Sequence, residues 1–286
     1  MEATFTTARR EFHNGLFARV LTVDSSGVPS NADKHNVLSV RLAQSIVAQL
    51  SSKTSVDVRV AGQTSGSEFE QLCAAFLEST FLKLQHLRPG KWAVEQVKGH
   101  NRLKIAEFAQ YAHLVDLERA SRENPALAAA LGSDYTITPD ILVLRNGEDD
   151  ETINTHEYLV DSTVSRLSTL RRAMQPLPIL HASISCKWTI RSDRVQNARS
   201  EALNLIKNRK GRAPHIAVIT AEPLPSRLAA IALGTGEIDC VYHFALHDLE
   251  MAISAAGQTE ALDTLHMMIS GRRLKDIADL PLDLAI

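Results

Sequence analysis

Ile141-Leu142-Val143-Leu144 is a short, uninterrupted apolar run, led in by Tyr135-Thr136-Ile137-Thr138-Pro139-Asp140 and ended by Asn146-Gly147. Residues before a proline are pushed out of the helical region, so the lead-in is extended. A run this short, bounded by turn residues and without polar alternation, reads as a strand covered on both faces. Such a strand needs helical layers around it, and the rest of the chain has to supply them.

The pattern along the chain does so. Helical spacing covers Phe12 to Leu21 and Val37 to Leu50, separated by the polar stretch Asp24-Ser25-Ser26-Gly27-Val28-Pro29-Ser30. Val56, Val58 and Val60 alternate as a short strand, and a loop from Gly62 to Ser67 leads into a helix carrying Phe69, Leu72, Cys73 and Phe76. Trp92 to Val97 reads as a strand, and an Ala-rich helical segment runs to about Leu131. Beyond the apolar run, the spacing predicts a helix from Val164 to Met174, a long strand from Ile179 to Ile190 and a helix from Asp193 to Asn208. Strand and helix then repeat through His215 to Thr220, Ser226 to Leu233 and Ile238 to Phe244, and two helices close the chain. This alternation implies an α/β fold with a central mixed β-sheet flanked by helices. One domain, 1–286, is expected: a helical part to about 55, a core over about 56–245, and C-terminal helices from about 246.

Composition removes several function classes. The chain has 286 residues, 31 basic against 33 acidic, so no overall positive excess marks a purely electrostatic nucleic-acid binder. No apolar run reaches membrane-spanning length and no signal-peptide core follows the N-terminus, so no membrane partner and a cytoplasmic address are expected. Cys73, Cys186 and Cys240 are too scattered for a disulfide framework or a Cys-x-x-Cys site. His243 and His247 have the four-residue spacing of a helical metal pair, but Val241-Tyr242-His243-Phe244 reads as a strand end, so both are structural. Gly234-Thr235-Gly236 lacks the third glycine of a dinucleotide site, and no Gly-x-Ser-x-Gly marks a serine hydrolase.

Chemistry gathers on the strand Ser183-Ile184-Ser185-Cys186-Lys187-Trp188-Thr189-Ile190. Alternation puts Ser183, Ser185, Lys187 and Thr189 on one face and Ile184, Cys186, Trp188 and Ile190 on the other. A mid-strand lysine among hydroxyls is either exposed on an edge or held in a polar pocket, where it can act on a bound anion or water. In the helix that follows, Val195, Ala198, Ala202 and Leu205 form the apolar face, and Glu201 lies at its border. Between lysine and glutamate sits Arg191-Ser192-Asp193-Arg194. With Ser192 or Asp193 capping the helix, both arginines project from its N-terminal end. Arginine can donate twice to guanine and an acidic residue can accept from cytosine, so the cluster is suited to reading C and G.

Pro139-Asp140 combined with Ser185-Cys186-Lys187 resembles the PD-(D/E)xK nucleases, in which a carboxylate binds Mg²⁺ and the lysine orients or activates the attacking water. Ser185 stands where many members have a second acid. The order Pro-Asp, Ser-x-Lys and a helical glutamate is similar to a subgroup of restriction endonucleases that cut sites with a CCGG core. The resemblance implies a restriction-endonuclease-like core. It also implies Asp140 as principal metal ligand, Cys186 as backbone-carbonyl ligand, Lys187 as catalytic lysine, Ser185 as the replaced acid, Glu201 as its relocated carboxylate and Glu70 as a further active-site glutamate. It implies two Mg²⁺ per site, and double-stranded DNA as substrate with GCCGGC as the full site, cut to leave 5′ phosphates and 5′ overhangs. Arg191, Asp193 and Arg194 would read the core, Gln63 the minor groove, and Asp33 and Arg227 the outer base pair. A homotetramer of two back-to-back dimers and a companion DNA methyltransferase follow from the same resemblance. A non-catalytic DNA-binding protein and a repair nuclease of the superfamily with little sequence preference are the alternatives.

The charge count sharpens on this reading. From Cys186 to Arg212 eight basic residues face two acidic ones, whereas the remainder carries 23 against 31. Positive charge is gathered where lysine and arginines stand, as a specific DNA binder requires.

Overall fold

The expected strand forms as β4 and organises the molecule around itself. The computed structural model describes residues 2–53, 59–60, 66–99, 103–132, 137–234 and 236–286, and for 59–60 and 192–194 the backbone alone. In chain order the helices are α1 (Thr4–Arg19), α2 (Val37–Ser51), α3 (Gly66–Thr80), α4 (Leu114–Glu123), α5 (Pro125–Leu131), α6 (Asp150–Ile153), α7 (Ser192–Asn208), α8 (Pro225–Ala232), α9 (Leu246–Ala255), α10 (Thr259–Ser270) and α11 (Leu280–Asp283). The strands are β1 (Thr22–Val23), β2 (Arg59–Val60), β3 (Lys91–Gln96), β4 (Ile141–Asn146), β5 (Ile179–Lys187), β6 (His215–Thr220), β7 (Cys240–His243) and β8 (Leu274–Asp276). Among the described residues β3 to β8 make one six-stranded sheet in sequence order, antiparallel across β3-β4-β5 and parallel from β5 to β8. The expected mixed sheet is therefore present.

Ile141, Leu142 and Val143 are fully buried. Their register pairs Ile141 with Ile184 and Leu142 with Ser183, then shifts at a bulge between Val143 and Leu144. That register brings the residue just before β4, Asp140, alongside Ser185. On the other flank, the amide of Val97 donates to the Asp140 carbonyl at 2.9 Å, so the start of β4 is held from both sides.

Helix α3 buries Phe69, Leu72, Cys73, Phe76 and Leu77, the stripe its helical spacing announces, and packs on β3 and β5. Helix α7 buries Val195, Ala198, Ala202 and Leu205. Helix α1 is fastened to the far edge of the sheet. Arg9 donates from Nε and Nη2 to the two oxygens of buried Asp276 on β8, at 2.9 and 2.8 Å. The amides of Leu246 and Ala278 complete the shell of that carboxylate.

Several expectations need correction. Val164–Met174 is irregular, not helical. Val164, Leu167 and Met174 are exposed, Leu167 at 97 %, so tertiary burial gives a helix little to gain. Side chains compete for the backbone as well: Asp161 accepts from the amides of Thr163 and Val164, and Ser168 from that of Leu170. The segment is strapped instead by buried Arg171, whose Nε and Nη2 reach Asp150 at 2.9 and 2.5 Å. The long strand stops at Lys187 rather than Ile190, because the Ile190 amide leaves the ladder for the carboxylate of Glu222 at 2.9 Å. The cap of α7 is Arg191, one residue earlier than expected, with no side-chain capping bond. Two helices do follow β7, but the three-residue β8 and α11 lie beyond them. Val56, Val58, Gln63 and Tyr135-Thr136 lie outside the described residues. No described helix is long and apolar enough to cross a membrane.

Burial pushes the Asp276 carboxyl up, but Arg9 and the two amides outweigh it and hold the group below the usual aspartate range. A depressed carboxylate contributes stability that is full above the unfolded value and lost as pH falls through the folded one. Asp276→Asn is therefore expected to lose about 2–3 kcal/mol in urea unfolding at neutral pH. The deficit should shrink below about pH 4, where the parent's own carboxylate takes up its proton.

Candidate active site and DNA-reading cleft

Asp140 ends the extended lead-in at the lip of the sheet, and three donors converge on its Oδ2. They are the Cys186 amide at 2.6 Å, the Lys187 ammonium at 3.0 Å and the Ser185 hydroxyl at 3.3 Å. Because Ser185 and Lys187 share a strand face, one carboxylate oxygen can meet both. The intervening Cys186 turns its side chain inward, where burial and the neighbouring Cys73 thiol push its own thiol well up.

Glu70, Asp140, Lys187 and Glu201 line one cleft of about 450 Å³, together with Thr138 and Asn197. Glu201 takes a hydrogen bond from the Thr138 hydroxyl at 2.9 Å, which aims it across from α7 toward the sheet. Glu70 is met by the Gln96 amide at 3.4 Å, and the same nitrogen donates to the Ser67 carbonyl at 3.0 Å. Phe69 packs edge-on against Trp188 at 5.1 Å between ring centroids and so fixes the start of α3 beside the end of β5.

The electrostatics are lopsided. Burial raises the Glu201 carboxyl, and the bond from Thr138 and the charge of Lys187 pull it back only in part. Burial followed by the negative charge of Asp140 raises Glu70. Lys187 loses by burial, yet the adjacent Asp140 and then Glu201 more than compensate, so its ammonium holds its proton more tightly than an exposed lysine.

A second cleft of about 270 Å³ adjoins the first across Gly66, Phe69 and Trp188, and is lined by Asp33, Arg191 and Arg227. Here Arg227 Nη2 is ion-paired to Asp33 Oδ2, and Asp33 Oδ1 also accepts from the amide of His35 at 3.1 Å. Arg191 is exposed at the cap of α7. Asp193 and Arg194 follow it in the first turn, where the backbone alone is described, and Gln63 lies outside the described residues.

Comparison with known proteins gives the chain a family. The family model for the NgoMIV restriction enzyme matches residues 12–286. The chain belongs to this family. The type II restriction enzyme NgoMIV of Neisseria gonorrhoeae is 57% identical over 287 residues, spanning 100% of both chains. Among solved structures, Bse634I restriction endonuclease aligns over 71% of this chain and 79% of its own with 13% identity and a TM-score of 0.34. A PspGI restriction endonuclease in complex with substrate DNA aligns over 98% and 90% with 15% identity and a TM-score of 0.26. Membership in the NgoMIV restriction enzyme family makes the chain a type II restriction enzyme, a site-specific deoxyribonuclease, and sets aside both alternatives weighed from sequence.

Restriction endonucleases generally use a divalent metal. Among the described residues no three His, Cys, Asp or Glu side chains close on one point as a ready-made cage. An open site still fits a hard cation that keeps several waters and takes one or two carboxylates. The donors here are oxygens, from three carboxylates beside one lysine; burial opposes ionisation of Glu70 and Glu201, and for Glu70 the charge of Asp140 adds to it. His243 carries no such role: its Nδ1 accepts from the Ala245 amide and its Nε2 donates to the Glu222 carbonyl, and burial pulls its pKa down to about 4.

Sequence reading missed Thr138 and Gln96, which aim the two glutamates. Thr138 stands two residues before Asp140 in the extended lead-in, so strand alternation could have found it; Gln96 had no such signal. A raised carboxyl destabilises the fold once ionised, because its stabilising protonated form is lost as pH rises through the folded value. Glu201→Gln is thus expected to raise the melting temperature of metal-free protein by a few degrees at neutral pH. The gain should vanish below about pH 4, where glutamate is protonated in folded and unfolded chains alike.

Proposed function

We propose that the chain hydrolyses double-stranded DNA within GCCGGC, a palindrome with a CCGG core, using Mg²⁺ and leaving 5′ phosphates and 5′ overhangs. The observation that carries this is the adjacency of the two clefts: the Asp140–Lys187–Glu201–Glu70 group and the Asp33–Arg191–Arg227 group share Phe69 and Trp188 as a wall. A duplex lying across that wall would put a phosphate in one cleft while base edges face the other.

Asp140 and Glu201, with the Cys186 carbonyl, would hold two Mg²⁺, and Glu70 would add a further carboxylate. When bound, Mg²⁺ stabilises charge on the attacking and leaving oxygens. Lys187 keeps its proton beside Asp140, so it acts as a fixed positive donor that orients the attacking water and the phosphate rather than as a base. Ser185 contributes through Asp140, whose Oδ2 it helps to hold. Arg191, Asp193 and Arg194 read the core from the start of α7, Gln63 contacts the minor groove, and Asp33 and Arg227 read the outer pair. The Asp33–Arg227 ion pair supports that last assignment, since one partner can donate to guanine while the other accepts from cytosine.

A homotetramer of two dimers is proposed on the resemblance. The exposed Tyr158, Leu159, Val164 and Leu167, on the segment strapped by Arg171, supply an apolar surface that such an assembly would cover. Buried side chains from Ala8 to Leu284 join in one cluster, which supports a single endonuclease domain. A cytoplasmic site of action and a companion methyltransferase complete the reading.

Plasmid bearing GCCGGC should be cut with Mg²⁺, and Asp140→Ala should slow cleavage by about 10²–10³-fold or more. Full-rate cleavage by that variant would falsify the assignment of the site. Leu167→Glu should sediment as a smaller species than the parent while remaining folded; an unchanged assembly removes this segment from the interface.

A further inference from the structure

Glu222 is a buried carboxylate that neither cleft uses directly. It follows β6 by two residues and is fully inaccessible to solvent. Its Oε2 accepts from the Ile190 amide at 2.9 Å, and its Oε1 from the Leu224 amide at 3.1 Å. Arg227 Nη1 lies 3.7 Å from Oε2, while Nη2 of the same arginine holds Asp33. One residue earlier, the carbonyl of Ala221 accepts from Asn31 Nδ2 at 2.9 Å. The turn between β6 and α8 therefore grips three separate pieces of chain: the 31–33 segment, Ile190 just before Arg191, and Arg227 itself.

Ile190 is the joint between the catalytic strand and the reading helix, three residues after Lys187 and one before Arg191. A carboxylate there is costly. Burial raises its pKa, and the Ile190 and Leu224 amides and the charge of Arg227 pull it back only in part. A neutral side chain could turn the chain without that cost, but it could not satisfy two diverging amides and a guanidinium at once. Removing the carboxylate would leave both amides short of an acceptor and take the nearby negative charge from Arg227 Nη1 in the same stroke.

We propose that Glu222 is a positioning residue for specificity, which locks the N-terminal end of α7, Arg227 and Asp33 into one rigid reading unit and ties that unit to the strand carrying Lys187. The inference rests on the assignment of those residues as base readers given above. Glu222→Gln preserves shape but has one acceptor oxygen where the native group has two, so it sets an amide group against a backbone N–H.

The experiment compares kcat/KM, with Mg²⁺, on a GCCGGC duplex and on duplexes changed at one inner or one outer base pair. The expected result for Glu222→Gln is a fall of about tenfold or more in the ratio of cognate to altered sites, the size of a lost bidentate base contact. Leu265→Ala, a buried change on α10 away from both clefts, lowers stability and should leave the ratio unchanged, which separates positioning from loss of fold. Glu222→Asp keeps the charge but withdraws it by one methylene, and serves if the Gln variant does not fold. An unaltered ratio in whichever variant folds overturns the proposal. A parent enzyme with no preference for GCCGGC overturns the reading beneath it as well, so the two failures are told apart by the parent alone.

Discussion

Oδ2 of Asp140 is the point on which the structure turns. A carboxylate at the lip of a buried strand would be expensive to desolvate, and here it is tolerated because the neighbouring strand offers it a backbone amide, an ammonium and a hydroxyl. Those three donors come from consecutive residues, so they can converge only if β4 and β5 keep their register. Register in turn depends on the apolar side chains of β4 staying inside, since a slip by one residue would turn every one of them over. Core packing and site geometry are thus the same constraint seen from two sides.

The two clefts inherit their relation from that arrangement. β5 ends at Lys187, and Glu222 takes the amide of Ile190, so the chain leaves the sheet and starts α7 at once. Only three residues separate Lys187 from Arg191 at the cap of α7. So short a connector, pinned at Ile190 by Glu222, ties the position of Arg191 to that of Lys187. Phe69 against Trp188 braces the same corner from α3.

Much of this was legible in the sequence, and the reasons differ by residue. The β4 run, the α3 stripe and the α7 face were readable because each is a burial pattern written at one period. Strand alternation made Ser185 and Lys187 readable as one face, and the resemblance to the PD-(D/E)xK nucleases joined Asp140 to them. Glu201 was placed at the edge of a packed face, and in the structure that edge borders the cleft. What escaped was set by tertiary partners. Val164–Met174 has helical spacing without a surface to bury it, and Arg171 with Asp150 decides its shape instead. Glu222 carries no local signal, since a glutamate after a strand looks like any polar turn residue until Ile190 is folded against it.

One lysine among three carboxylates also bears on the order of events. On the function proposed above, a DNA phosphate would add negative charge to a cleft that holds three carboxylates and one lysine, while Arg191 and Arg227 line the cleft beside it. On that reading, holding the duplex and engaging the scissile phosphate would be separable steps. An enzyme acting in that order would dwell on a sequence before cutting it.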